Sequence, residues 1–208
     1  MKSDPRVRAT VFDLGGVVIA TRVDEIMRSW SRSAGVTFEH TAAAFADDIH
    51  HHPLERGEIT IAQYHEHVAE TIGRDLTFED FMAGWHAIFA GLVEGIEPVL
   101  AAAARHGRCV ALTNTNAAHY HKWRRLYGDA VAVFERIFLS YEMGVRKPEP
   151  ACYRQVLDYL RLPAAEVAFI DDDRANVTAA EALGMKGVVA VDAAQVGRDL
   201  AALGVTPA

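Results

Sequence analysis

Five short apolar runs alternate with helical patterns along this chain of 208 residues. The runs are mostly β-branched or apolar and end in polar residues, which is typical of buried parallel strands. They cover residues 7–12, 108–112, 137–140, 167–170 and 187–191. The helical patterns between them stop at glycines, as helices commonly do. This alternation predicts an α/β fold whose strands form a parallel sheet.

The gap between the first two runs is the exception to this spacing. About 95 residues separate them, although a parallel crossover needs only about a dozen. Thr60 and Thr77 are suitable helix N-caps within the gap, and the aromatic face after Thr77 is interpreted as an internal core rather than a ligand site. We therefore predict an all-helical inserted domain over residues 18–91, with 1–17 and 92–208 forming the sheet domain. Glycines at both junctions predict hinges, so the inserted unit is expected to act as a lid.

Composition and charge argue against several classes of protein. The net charge is −7 and the pI is near 5.8, whereas a nucleic-acid binder normally has a basic surface. The N-terminal apolar run is interrupted by Asp13, which is untypical of a signal peptide or a membrane span. Cys109 and Cys152 give no disulfide framework and suit a reducing compartment. We predict a cytoplasmic protein without nucleic-acid or membrane partners, and the oligomeric state stays open.

Four polar clusters follow the apolar runs in order. They are Asp13-Leu14-Gly15-Gly16, Thr113-Asn114-Thr115-Asn116, Lys147-Pro148 and Asp171-Asp172-Asp173. The carboxyl ends of parallel strands meet at one edge of a sheet, where open α/β folds bind ligands. Together the clusters offer a nucleophile, oxygen ligands for a hard cation, a hydroxyl donor and a fixed positive charge. This set predicts magnesium-assisted phosphoryl transfer to a carboxylate.

Each cluster also has a purely structural interpretation. Asp13 is equally suited to forming a turn, and Thr113 with Asn114 to capping the following helix. One aspartate of 171–173 is suited to a helix cap, but three consecutive carboxylates are costly unless a cation neutralises them. Lys147 taken alone is typical of a solvated loop. The order of the clusters favours catalytic roles for Asp13 and Lys147.

These clusters and their flanking residues resemble the four ordered motifs of the haloacid dehalogenase-like hydrolases. The matching segments are residues 12–17 (FDLGGV), 112–116 (LTNTN), 143–150 (MGVRKPEP) and 169–176 (FIDDDRAN). The similarity runs from about residue 9 to residue 192, and residues 55–59, 84–86 and 113–116 look closest to the bacterial α-D-glucose-1-phosphate phosphatases. The resemblance implies a Rossmann-like parallel sheet core, the small inserted helical cap of subfamily IA, and a magnesium-dependent phosphomonoesterase.

The resemblance also implies a metal-assisted nucleophile. Asp13 would attack phosphorus, form an aspartyl-phosphate and share magnesium with Asp172 and the carbonyl of Gly15. Asp171 would act on the metal through water, and Asn176 would support it by hydrogen bonding.

The remaining motif residues are expected to bind substrate. Thr113 and the amide of Asn114 would hold phosphate, while Lys147 would neutralise both Asp13 and phosphate. Arg146 is expected to face solvent. The cap residues predicted to contact substrate are Glu55, Arg56 and His86.

Position 15 departs from the pattern of the family. Many phosphatases of this superfamily carry a second aspartate there, which protonates the leaving alcohol and later activates water. Gly15 can do neither. We hypothesise that the enzyme favours an acidic leaving group, such as the anomeric hydroxyl of glucose 1-phosphate or another sugar phosphate, or takes a proton from a cap histidine. The candidate histidines are His50, His51, His52 and His86.

Three alternatives remain open. A 2-haloacid dehalogenase shares the aspartate nucleophile but uses no metal, which leaves the carboxylates of residues 171–173 unexplained. A receiver-type signalling domain combines similar residues in another order and has no place for the insertion. The third alternative is a non-catalytic phosphate-binding relative that has lost its general acid.

Overall fold

The computed structural model describes residues 6–46, 48–73 and 75–205. The strands within these ranges are β1 (Ala9–Phe12), β2 (Ile19–Thr21), β3 (Phe89–Leu92), β4 (Arg108–Thr113), β5 (Arg136–Leu139), β6 (Val167–Asp171) and β7 (Lys186–Val189). The helices are α1 (Val23–Ala34), α2 (Phe38–Ala46), α3 (His51–Glu55), α4 (Ile61–Ile72), α5 (Phe78–His86), α6 (Ile96–His106), α7 (Ala117–Val131), α8 (Ser140–Met143), α9 (Pro150–Leu160), α10 (Arg174–Glu181) and α11 (Ala193–Ala202).

A sheet with β1 at its centre organises the fold. Within the described residues its strand order is β5-β4-β1-β6-β7, and all neighbours are parallel. Phe12 of β1 lies opposite Ala111 of β4 and Ile170 of β6, so the carboxyl ends of these three strands lie side by side. The predicted parallel sheet is confirmed. Asp13 and Asp172 follow β1 and β6 at this shared edge.

Helices cover both faces of the sheet. Phe12 points into a cluster that contains Leu100 of α6, whereas the adjacent Val11 points into a cluster with Val156 of α9 and Val177 of α10. Successive residues of a strand face opposite sides, so β1 is buried on both. This burial explains why its sequence is a continuous apolar run.

The cap, α1 to α5, has an aromatic core of its own. Trp30 of α1 stacks on Phe81 and Trp85 of α5, with ring centroids 5.0 and 5.7 Å apart. A side chain at position 84 would overlap the Trp30 ring, so Gly84 lets the two helices approach closely. Phe81 and Trp85 are both fully buried, so the interpretation of the aromatic face as internal packing is confirmed for Phe81, whereas Trp85 packs in this core and also borders a cavity.

Two short strands join the cap to the core. β2 and β3 pair antiparallel, with Ile19 opposite Leu92 and Thr21 opposite Phe89. The inserted unit beyond them is helical, as predicted, but this ladder was not predicted. Each strand has only three or four residues and its partner is distant in the sequence, so no local pattern indicates the pairing.

β4 and β6 lie within one residue of the predicted runs, whereas β1 begins at Ala9 rather than at residue 7. Thr60 caps α4 in a capping box with Gln63, and Thr77 caps α5, both as predicted. The strand predicted over 137–140 lies at Arg136–Leu139 because Ser140 begins α8. The strand predicted over 187–191 lies at Lys186–Val189. Among the described helices, none combines the length and the apolar character needed to span a bilayer.

Candidate active site

Asp13 and Lys147 form a buried ion pair at the carboxyl edge of the sheet. Oδ1 of Asp13 accepts a hydrogen bond from the amide of Leu14 over 2.7 Å and lies 2.8 Å from Nζ of Lys147. The same ammonium lies 2.6 Å from Oδ2 of Asp171. Because the Lys147 side chain is only 1% exposed, it is not a solvated loop lysine. It bridges the carboxylates that end two neighbouring strands.

Both carboxylate oxygens of Asp171 are engaged by neighbouring residues. Oδ1 accepts hydrogen bonds from the amide of Asp173 at 2.9 Å and from Nδ2 of Asn176 at 3.0 Å, while Oδ2 faces Lys147. Asp173 caps α10 by accepting from the Ala175 amide over 2.8 Å. The three aspartates therefore have different roles: Asp171 is buried, Asp173 caps α10, and Asp172 is exposed.

The carboxylates of Asp13, Asp171 and Asp172 can hold a divalent cation. Oxygen atoms of the three lie within 4.8 Å of one another. Burial raises the pKa of Asp13 to about 7 against the opposing effect of Lys147, and Asp171 and Asp172 add to the rise. Burial and the charge of Asp171 also raise the pKa of Asp172. Lys147 supplies one positive charge to three carboxylates, so the cluster has an excess of negative charge, and its all-oxygen donor set suits a hard cation such as Mg²⁺.

The two glycines after Leu14 differ in what the structure requires of them. Gly16 has φ +78°, in the left-handed region, and a Cβ there would overlap the Asp172 carboxylate. A Cβ at Gly15 would lie 3.7 Å from Cγ2 of Thr21, which is an ordinary contact. Close approach of the loop to Asp172 therefore demands glycine at position 16 but leaves room for a side chain at position 15.

Thr113 ends β4, Asn114 follows it, and both line the same cavity as Asp13. The Asn114 side chain clamps the backbone of Lys147: its Nδ2 donates to the carbonyl over 3.0 Å and its Oδ1 accepts from the amide over 2.8 Å. Sequence reasoning did not foresee this clamp. The helix-capping alternative is wrong, because α7 is capped by Asn116, which accepts from the His119 amide over 3.1 Å.

Two ion pairs connect the cap with the loop that carries Lys147. Nε of Arg146 donates to Oε2 of Glu55 over 2.7 Å. Arg56 donates to Oε1 of Glu149 through Nε at 2.9 Å and Nη2 at 2.5 Å. The expectation that Arg146 faces solvent is wrong, since its side chain is only 16% exposed and is held by the buried Glu55.

A cavity of about 190 Å³ lies between this sheet edge and the cap. Asp13, Gly15 and residues 113–115 form its core side. Glu55 and His51 belong to its cap side, where Nε2 of His51 lies 3.8 Å from Oε1 of Glu55. The candidate nucleophile therefore faces a cavity that is bordered by both the core and the cap.

The cap residues predicted to contact substrate have different surroundings. Glu55 lines the cavity, and so does His51, one of the histidines considered as proton donors. Arg56 is turned toward Glu149. His86 faces α7, where burial and Lys122 lower its pKa, and its Nε2 is buried without a hydrogen-bond partner in the described part of the chain. Substrate contacts by Glu55, Arg56 and His86 stay predictions.

His119 of α7 is a cavity residue that sequence reasoning missed. Its ring stacks on Trp85 of the cap with centroids 4.4 Å apart, and its Nε2 lies 2.9 Å from the Trp85 carbonyl. Burial lowers the pKa of His119 to about 3, so the imidazole is neutral and donates to that carbonyl through Nε2. The only signal in the sequence was its position just after the helix cap Asn116.

Comparison with known proteins assigns this fold and site to a family. The sequence profile described as haloacid dehalogenase-like hydrolase matches residues 7–184. The chain belongs to the haloacid dehalogenase-like hydrolases. The family predicted from the four motifs is therefore confirmed.

Several relatives of this haloacid dehalogenase-like hydrolase are phosphatases. A wild-type family enzyme of Bacteroides thetaiotaomicron, solved in complex with magnesium and inorganic phosphate, matches with a TM-score of 0.76 and 25% identity over 88% of this chain and 93% of that chain. The D-ribitol-5-phosphate phosphatase of Bacteroides thetaiotaomicron is 20% identical over 189 residues, 86% of this chain and 90% of that protein. A sesquiterpene phosphatase of Aspergillus oryzae is 38% identical over 81 residues, which is 39% of this chain.

Coverage of some relatives is limited. The matched segment spans 41% of the sesquiterpene phosphatase and 12% of a drimenol cyclase of Aspergillus calidoustus. The chain therefore covers less than half the length of these two relatives. This haloacid dehalogenase-like hydrolase has relatives named as phosphatases and a carboxylate cluster that can hold a divalent cation.

Proposed function

We propose that this protein is a magnesium-dependent phosphomonoesterase that acts on a small phosphorylated metabolite through an aspartyl-phosphate intermediate. The observation that carries the proposal is the buried Asp13, paired with Lys147 at 2.8 Å and lying beside Asp172. A carboxylate at the floor of a cavity, with a fixed cation beside it, is suited to attack a bound phosphate. Phosphatases among the relatives support the same chemistry.

Each of the core residues has a separate role in phosphate transfer. Asp13 attacks phosphorus with one carboxylate oxygen, and water later hydrolyses the resulting acyl phosphate. Lys147 offsets the repulsion between this carboxylate and the phosphate dianion. Thr113 offers its hydroxyl and Asn114 its amide to the phosphate oxygens, while the Asn114 side chain positions Lys147 by holding its backbone.

Asp13, Asp172 and the carbonyl of Gly15 are the groups that would hold the metal. Asp171 would act through water, because its oxygens already bind Lys147 and Asn176. Bound Mg²⁺ would supply charge neutralisation at the phosphate. Asp171 also fixes Lys147 between the two strands, so the ammonium stays in place when Asp13 is esterified.

Proton supply to the leaving group needs a residue from the cap, since Gly15 has no side chain. His51 is our candidate, because it lines the cavity beside Glu55. Glucose 1-phosphate is the substrate that the sequence motifs suggest, whereas the lining of the cavity favours a different leaving group. The names of the relatives indicate two different leaving groups, a sugar alcohol and a terpenoid.

The organisation of the chain is part of the proposal. We assign residues 18–91 to the cap and residues 1–17 and 92–208 to the catalytic core, as predicted from the sequence. The partner is a small phosphorylated molecule in a cytoplasmic setting. The separate aromatic core of the cap supports the division, because that cluster is packed around Trp30 and Trp85 rather than around the sheet.

Hydrolysis of p-nitrophenyl phosphate, with magnesium and then with a chelator, tests this proposal. We expect turnover that requires the metal and that falls at least about a thousandfold in Asp13→Asn, because the nucleophile is removed. The matched control is Asp158→Asn, which neutralises an exposed carboxylate of α9 and should leave turnover unchanged. Mass spectrometry after acid quenching should find the phosphoryl group on Asp13.

Other outcomes would identify the alternatives. Halide release from a 2-chloro acid that the chelator does not affect would overturn the proposal in favour of a metal-independent dehalogenase. Phosphate binding without turnover of any ester would overturn it in favour of a non-catalytic relative.

A further inference from the structure

We propose that the leaving group of the substrate is a small apolar alcohol rather than a sugar. This inference rests on the proposed phosphomonoesterase function and narrows its substrate class. It follows from which residues surround the leaving-group side of the cavity between the sheet edge and the cap.

The nucleophile determines which side of the cavity accepts the leaving group. Asp13 and residues 113–115 form the core side, so the phosphate lies there and the ester oxygen points toward the cap. The residues from the cap and its connections are mainly aliphatic and aromatic. They include Val23, Ile26, Phe45, Trp85, Ile88 and Phe89.

Polar groups are few on the cap side of the cavity, where Thr21, His51 and Glu55 supply them. Glu55 accepts from Arg146 at 2.7 Å and lies 3.8 Å from Nε2 of His51. His119 is neutral and donates a hydrogen bond from Nε2 to the Trp85 carbonyl. Its ring is stacked on the Trp85 ring. A sugar placed here would leave several hydroxyls facing hydrocarbon, and an unpaired buried hydroxyl is costly.

The small volume of the cavity favours a small leaving group. At about 190 Å³ it is smaller than the roughly 300–1,000 Å³ that drug-sized ligands occupy. Phosphate takes part of this space. The remainder suits one ring or a short branched chain, so the inferred substrate is the phosphate monoester of a compact alkyl, prenyl or aryl alcohol.

A matched pair of esters tests the inference. Cyclohexylmethyl phosphate and glucose 6-phosphate both release a primary alcohol attached to a six-membered ring, so their leaving groups differ chiefly in hydroxylation. We expect kcat/KM with magnesium to be about a hundredfold higher for the cyclohexylmethyl ester, the order of discrimination that an apolar pocket achieves against an added hydroxyl. Equal values, or a preference for the sugar phosphate, would overturn the inference while leaving the phosphomonoesterase proposal standing. Failure of both esters and of p-nitrophenyl phosphate would overturn both.

A nearly isosteric variant tests whether the cavity wall causes the preference for the apolar ester. Val23→Thr adds one hydroxyl to the cavity wall at a position that is 42% exposed, so folding should be preserved. We expect the ratio of kcat/KM values to fall a few-fold toward the sugar phosphate. The control is Val191→Thr, a residue that is 81% exposed and outside the cavity lining, which should leave the ratio unchanged. The same ratio in wild type and Val23→Thr would show that the cap wall does not set the preference.

Discussion

Glu55 of the cap accepts a hydrogen bond from Nε of Arg146 of the core over 2.7 Å, and Arg146 directly precedes the buried Lys147. Because Glu55 also lines the cavity, the pair both neutralises a carboxylate near the substrate and joins cap to core. One contact therefore contributes both to the position of the cap and to the charge of the cavity.

Arg146→Met should raise KM about tenfold, with a smaller change in kcat. The variant leaves Glu55 unpaired in the cavity, where it repels the phosphate dianion, and a charged hydrogen bond is worth about 1.5–3 kcal/mol. Steady-state kinetics measure the effect, and adding Glu55→Gln should restore KM. The comparison variant Arg56→Met breaks the pair with Glu149 outside the cavity, and an equal rise in KM there would contradict the electrostatic explanation.

Lys147→Met should destabilise the fold as well as abolish turnover. Burial acts to lower the pKa of Lys147, but Asp13 and Asp171 outweigh it and hold the pKa above its usual value. Removing one partner of a buried ion pair costs about 3–5 kcal/mol. Urea unfolding should show this loss at pH 8 and a smaller one at pH 5, because burial already raises the pKa of Asp13 to about 7 and the abandoned Asp13 carboxylate is then protonated. An unchanged urea midpoint at pH 8 would show that the carboxylates do not need the ammonium.

Gly16→Ala should weaken metal binding. The new methyl group overlaps the Asp172 carboxylate and the residue is held at φ +78°, which costs about 1–2 kcal/mol in backbone strain alone. We expect the magnesium concentration for half-maximal activity to rise about tenfold or more, as when a group supporting a metal ligand is lost. Gly35→Ala bears the same strain at φ +65° with no atom within 4 Å of the new Cβ. A similar magnesium requirement in both variants would rule out displacement of Asp172.

Gly15→Asp should increase turnover of alkyl phosphates more than that of p-nitrophenyl phosphate. A Cβ at this position meets only the methyl group of Thr21 at 3.7 Å, so the carboxyl group can enter the cavity. General acid catalysis typically contributes about 10²–10⁴-fold for poor leaving groups. The ratio of kcat/KM values for the two esters measures it, and a ratio equal to that of wild type would show that His51 or another cap group already supplies the proton efficiently.

His119 should make the protein less stable in acid. Burial lowers its pKa from 6.5 to about 3, so between these values the unfolded chain binds a proton that the folded chain does not. The free energy of unfolding therefore falls as pH drops from 6.5 toward 3, by about 1.4 kcal/mol per unit in the middle of the window, and is unaffected at higher pH.

Unfolding experiments at several pH values isolate this contribution. In His119→Gln, the slope of the free energy of unfolding against pH between about 3 and 6.5 should fall by the equivalent of about one proton. The variant should also be less stable at neutral pH, because the ring stacked on Trp85 is lost. His121→Gln, at an exposed position of the same helix, should leave the slope as in wild type. Equal slopes in wild type and His119→Gln would mean that the imidazole titrates normally in the folded state.

The central strands were predictable because burial on both faces leaves a direct pattern in the sequence. β1, β4 and β6 are apolar over nearly their whole length, and their polar ends meet at one edge for topological reasons. β2 and β3 could not be predicted in this way, since their ladder depends on two short segments brought together by the folded cap.

The same distinction applies to the site. Asp13 and Asp171 lie close together because they stand at the carboxyl ends of neighbouring strands. Each of these residues, like Lys147, belongs to a short contiguous motif that can be recognised in the sequence. The contact of Arg146 with Glu55 and the stacking of His119 on Trp85 depend on how the cap is oriented over the sheet. No periodicity or local spacing encodes that orientation, so the structure was needed to show which cap residues border the cavity.

The antiparallel pair of β2 and β3 ties the two crossings of the polypeptide between core and cap to each other. Cutting one crossing alone would leave backbone groups of the other without partners. Residues 19–92 are therefore the natural unit of exchange between members of the family. A chimera that receives this whole segment from another family member would combine the substrate selectivity of one enzyme with the catalytic residues of the other.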